Sequence, residues 1–143
     1  NNHFETTNVN AYRGIITAPD KSLKIRAKAV KNLILQMKDN NRKRAIQADS
    51  IHAEIQRSPY PVIVCGDFND TPASYTYHRV KKGLTDGFQD VGNGYQYTFR
   101  QLYRLWRIDY VFYSESLKGQ DCFSPDVSYS DHNMVVWRGC VKN

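Results

Sequence analysis

A short apolar run, Pro61-Val62-Ile63-Val64-Cys65-Gly66, limits the fold more than any other feature of the chain. Consecutive β-branched residues closed by glycine predict a strand buried on both faces, and such strands belong to sheets covered by helices. Upstream, Ala27, Val30, Leu33, Ile34 and Met37 recur at helical spacing between Ser22 and about Lys38, with Lys24, Lys28 and Lys31 between them. Asp39-Asn40-Asn41 reads as a turn or bend, after which Ala45, Ala48, Ile51 and Ile55 restart a helical stripe that Ser58 and Pro59 should stop. Both stripes are expected to pack against a sheet. Downstream, segments 107–113 and 133–137 are rich in β-formers, a short helix is expected over 75–82, and 71–74 and 92–94 read as loops. The pattern is α/β, helices first and strands after, with no repeat or linker dividing it.

With 143 residues, 41% of them hydrophobic and 24% charged, the chain can build a packed core, which excludes wholesale disorder. No run approaches the ~18 apolar residues of a membrane-spanning helix. The first residues lack a basic-then-apolar pattern, so no signal peptide is expected and the localisation stays open. Cys65, Cys122 and Cys140 are odd in number and form no CxxC pair, which argues against both a disulfide framework and a zinc site. The net charge of +6 favours polyanionic partners in general terms.

Chemistry concentrates at the expected strand ends. In Gly66-Asp67-Phe68-Asn69-Asp70, a carboxylate and an amide two residues apart leave the buried strand together, so Asp67 is a candidate general base. An Asx-type turn explains the same residues equally well. Ser130-Asp131-His132 precedes the last expected strand, where a carboxylate suited to a metal adjoins an imidazole suited to phosphate. Asp109 lies between Ile108 and Tyr110, and a carboxylate there needs a partner unless the strand is at an edge; His132 is the candidate. His3, near the terminus, would pass for a solvated residue on its own.

Taken in order, NNHFE at 1–5, GDFND at 66–70, RIDYVF at 107–112 and YSDHNMV at 129–135 resemble the successive motifs of the endonuclease/exonuclease/phosphatase superfamily, the deoxyribonuclease-like metal-dependent phosphodiesterases. Arg44 and Gln47 resemble that family's Arg and Gln on the helix before GDFN, so 9–43 looks like an inserted helical segment. The resemblance implies a four-layer α/β sandwich of two packed sheets. The chain would correspond to its C-terminal portion, a single incomplete domain over 1–143, because the family's metal-binding glutamate precedes the Asn-x-His motif whereas Glu5 follows it.

The resemblance also implies roles. Asp67 would orient or deprotonate the attacking water, Asn69 would hold phosphate or nucleophile, and His132 would contact a phosphoryl oxygen with Asp109 setting its tautomer. Asp131 would bind the metal, Mg²⁺ or else Mn²⁺, and His3, with Asn1 nearby, would face the phosphate from the opposite side. The implied activity is in-line hydrolysis of a phosphoester by a nuclease or phosphodiesterase, with DNA or RNA favoured and phosphoinositide or sphingomyelin headgroups as alternatives. A non-catalytic module binding nucleic acid or phosphoinositide is the competing reading. Tyr95, Tyr97, Phe99, Tyr103 and Trp106 would stack on bases, rest on lipid or cap the core. One uncovered sheet face implies that a missing N-terminal half or self-association completes the fold.

Overall fold

In the computed structural model, which describes residues 1–100 and 104–142, two small sheets and four helices form a mixed α/β arrangement. In chain order the elements are β1 (Asn2–His3), α1 (Val9–Thr17), α2 (Leu23–Arg57), β2 (Ile63–Asp67), α3 (Tyr75–Lys81), β3 (Thr85–Asp86), α4 (Gly87–Val91), β4 (Asp109–Tyr113), β5 (Leu117–Phe123) and β6 (Val136–Val141). The first sheet has the order β1-β2-β4-β3, with β1 parallel to β2 and the other pairs antiparallel; β5 and β6 form a separate hairpin. The hairpin meets the first sheet through Tyr113 and Trp137, whose ring centroids lie 4.6 Å apart.

The core lies between α2, α3 and one face of the larger sheet. Phe4, Ala48, Val64, Phe68, Tyr77, Val80, Tyr110 and Phe112 form it, with Ile51 and Ile55 packed against them. Phe68 contacts Phe4 at 4.7 Å and Tyr110 at 5.1 Å between centroids, and such tilted pairs add ~1 kcal/mol each beyond burial. Only Val64 of β2 reaches this core; Ile63 is exposed on the other face, so the expectation of a strand buried on both faces does not hold for the described residues.

Two further expectations are corrected along α2. The helix runs unbroken through Asp39-Asn40-Asn41 from the N-cap Ser22, whose hydroxyl accepts from the Ile25 amide, to Ser58. Asn40 does not compete with the helix because its buried amide donates instead to the Thr6 carbonyl, at 2.9 Å, and to Thr7 Oγ1, at 3.0 Å. The rear stripe packs on the sheet as expected. The front one does not: Val30, Ile34 and Met37 are exposed, and α1 rather than a sheet lies beside this half of the helix.

Toward the C-terminal end of the sequence the expected strand over 133–137 begins later, as β6, and β5 pairs with it in the separate hairpin. The strands β1, β3 and β5 and the short helix α4 carry too few alternating residues to announce themselves in sequence.

Candidate active site

The carboxyl end of β2 places the chemistry. Antiparallel register sets Asp67 directly opposite Asp109, and parallel register sets it beside His3. Gly66 permits the second pairing: its φ is +143°, and a Cβ there would stand 1.8 Å from the Asn2 carbonyl oxygen. The chain then turns. Asn69 adopts φ +50°, its amide N–H donates to Asp67 Oδ1 at 2.8 Å, and its side-chain nitrogen lies 3.0 Å from Asp67 Oδ2 and 3.0 Å from the Phe4 carbonyl. The Asx turn and the candidate site are therefore one structure. Asn69 holds Asp67 and the segment after β1 in place.

His132 arrives from the loop before β6. Its backbone is fixed by the Ser130 hydroxyl, which accepts from its N–H at 3.1 Å, and its ring packs on Phe99 at 5.1 Å between centroids. Nδ1 lies 2.9 Å from Asp109 Oδ2, and Nε2 lies 4.0 Å from Asp67 Oδ2. His3 Nε2 approaches the same Asp67 oxygen at 3.5 Å from a largely exposed side chain. Thr98 joins the pieces: its Oγ1 accepts from the amides of Ile108 and Asp109, at 3.0 Å each, and its carbonyl accepts from Asn133 at 2.7 Å.

The electrostatics follow. Burial pushes the Asp67 carboxyl above the ordinary carboxylate range, and the facing Asp109 adds to the rise against the opposing Asn69 hydrogen bond. His132 is raised above the ordinary imidazole value, chiefly by its hydrogen bond to Asp109. One group is thereby a better proton acceptor and the other a better held donor.

Ligating atoms of Asp67, Asp109 and His132 lie within 4.8 Å of one another, two hard carboxylate donors and one borderline imidazole. Asp131 contributes nothing to this cluster; its carbonyl accepts from the Arg100 amide at 2.9 Å, while the residue lines the cavity alongside. That cavity, of about 510 Å³, is also lined by His3, Arg44, Asn69, Asp67 and His132. A second, of about 460 Å³, is lined by Asp67, Asp109 and His132 together with Asn1, whereas His3 lines only the first of these two.

Sequence reading missed Thr98, whose position no motif marks, and gave Arg44 only by resemblance. Arg44 is buried, donates to the Glu5 carbonyl at 2.9 Å and pairs with Asp70 at 3.3 Å; Gln47 Oε1 accepts from the Glu5 amide at 3.1 Å. Together they pin the strand that carries His3. Phe99 packs on His132 and Trp106 lines the cavity, whereas Tyr103 lies outside the described residues.

A family model described as the endonuclease/exonuclease/phosphatase family matches residues 8–132. Among solved structures, the chain is similar to the endonuclease/exonuclease/phosphatase from Bacteroides vulgatus, at 24% identity and a TM-score of 0.62, covering 71% of this chain and 45% of that one. It is similar to the mannosyl-6-phosphatase of Bacteroides thetaiotaomicron VPI-5482 at 22% identity and a TM-score of 0.56, covering 72% and 46%. It also resembles the human Nocturnin catalytic domain with bound sulfate, at 22% identity and a TM-score of 0.56, covering 71% and 42%. The chain thus spans less than half the length of each of these structures, and the likeness to them is one of fold. No curated protein matches it.

Proposed function

Because the chain belongs to the endonuclease/exonuclease/phosphatase family, we propose that it hydrolyses a phosphoester with the aid of a divalent metal, through Asp67, Asp109 and His132. The observation that carries the reading is His132 Nδ1 held 2.9 Å from Asp109, with Asp67 facing Asp109 across the sheet.

Asp67 and Asp109 are the oxygen donors that would hold the cation, and their hardness suits Mg²⁺ or Mn²⁺. Such an ion, when bound, offsets negative charge on the phosphoryl oxygens. The chain's own groups do the rest. Asp67, raised by burial and fixed by Asn69, orients the attacking water and accepts its proton as the water oxygen bonds to phosphorus in line with the departing ester oxygen. Asp109 accepts from His132 Nδ1–H and favours the protonated ring, whose Nε2–H would then donate to a phosphoryl oxygen. His3, whose Nε2 lies 3.5 Å from Asp67 Oδ2, would face the phosphate from the β1 side, and Asp131 adds negative charge at the cavity wall.

The mannosyl-6-phosphatase among the similar structures supports phosphoester chemistry without choosing a substrate for this chain. DNA, RNA and phospholipid headgroups are all polyanions that a +6 chain attracts. The test is hydrolysis of bis(p-nitrophenyl) phosphate and of DNA and RNA, with Mg²⁺ and with a chelator. Asp67→Asn should lower turnover by about a hundredfold or more while substrate binding survives. Turnover unaffected by that change, or by the chelator, would remove this reading of the site, and the absence of any turnover would favour the binding module.

A further inference from the structure

The chain's charge is not spread over it. Residues 9–43 hold nine of the 20 basic residues and two of the 14 acidic ones, a formal +7, so the rest of the chain sums to −1. In the same segment the first half of α2 exposes large aliphatic side chains: Leu23 is 80% exposed and Ile34 58%, and Val30 and Met37 are also open. At 100° per residue, Leu23, Ala27, Val30, Ile34 and Met37 fall on one stripe, and Lys24, Lys31, Lys38 and Arg42 fall on the stripe beside it. The apolar stripe leads to the candidate site, because Met37 and Asn41 line the cavity that Asp67 and His132 also line.

We infer that this face of α2 docks in the plane of an anionic lipid bilayer and holds the cavity mouth at the level of the headgroup phosphates. No helix among the described residues is long and apolar enough to cross a membrane, and a lipid surface is what an in-plane helix with an aliphatic stripe and a basic flank fits. The flank is attracted to anionic headgroups while the stripe enters the acyl boundary. Nucleic acid would use the lysines but gains little from exposed leucine and isoleucine, since its contacts are to phosphates and stacked bases. A second copy docked through the same segment would bring +7 against +7. That the substrate is a phosphoester presented at the bilayer rests on the hydrolase reading above; the docking itself does not.

The experiment is co-sedimentation with vesicles of phosphatidylcholine alone and of phosphatidylcholine containing about 30 mol % phosphatidylglycerol. Binding is expected to the anionic vesicles only and to weaken with salt. Leu23→Ser with Ile34→Ser should reduce it roughly tenfold, as should Lys24→Gln with Lys31→Gln, with melting curves verifying that both variants fold. All four positions are exposed and outside the candidate site, so hydrolysis of soluble bis(p-nitrophenyl) phosphate should be unchanged in both. No vesicle binding, equal binding to neutral vesicles, or binding that either variant leaves intact would overturn the proposal. So would retention of duplex DNA, in place of vesicles, by the serine variant. A protein that binds anionic vesicles as described but cleaves no phosphoester would sink the hydrolase reading and leave the docking surface standing.

Discussion

The two halves of α2 carry the same periodicity and meet opposite fates. Ala48, Ile51 and Ile55 lie on Phe4, Val64 and the other core residues, whereas Leu23, Val30, Ile34 and Met37 face outward beside a row of lysines. The difference lies not in the stripe but in what stands opposite it. Behind Ala48 is a sheet; on the front half α1 lies beside the helix but leaves Leu23, Val30, Ile34 and Met37 exposed. Helical spacing specifies that a face is apolar, and the partner of that face is a separate fact.

Substitutions along the helix should divide the same way. The largest effect is expected at Ala48, which is fully buried: Ala48→Asp places an unpaired carboxylate in the core and should cost on the order of 4 kcal/mol or more, enough to unfold a marginal domain, as chemical denaturation would show. If Ala48→Asp is tolerated, the rear half of α2 does not hold the helix against the sheet.

An intermediate, pH-dependent effect is expected at His52. Burial lowers its pKa below the ordinary 6.5, with Arg79 and Lys82 adding repulsion. A depressed pKa means that the neutral ring's contribution is present above the unfolded value and is lost as pH falls through the folded one. Stability should therefore decline on acidification below about pH 6.5, more steeply than in His52→Gln, when melts are compared across that range. Parallel curves would show that His52 reaches solvent and protonates freely.

The smallest effect belongs to the front half, where Ile34→Ser should change stability by no more than about 0.5 kcal/mol. A loss of several times that would mean that the stripe is covered in the folded protein, and the contrast between the halves would disappear.

Much of the site could be read from the chain because its residues cluster at strand ends within short motifs. Asp67 and Asn69 share a turn, and Asp109 sits on a strand whose β-formers announce it. That Asp109 and His132 meet needed one further idea, that a carboxylate amid apolar neighbours requires a partner, and they lie 2.9 Å apart. What did not show was whatever depends on tertiary contact alone. Asn40 reads as a helix breaker until Thr6 and Thr7 occupy its amide. Thr98 is an ordinary threonine until two backbone amides converge on it. Two-residue strands such as β1 have no periodicity to detect; only Gly66, by admitting the Asn2 carbonyl, marks where β1 must run.

At 1.5 Å per residue, the 35 residues of α2 make a rod about 50 Å long. With no break at Asp39-Asn40-Asn41, the rod has no hinge, so its outer end behaves as the long arm of a lever whose short arm is Arg44 gripping the Glu5 carbonyl. Between Leu23 and Arg44, whose guanidinium donates to the Glu5 carbonyl just after the strand that bears His3, no turn interrupts the helix.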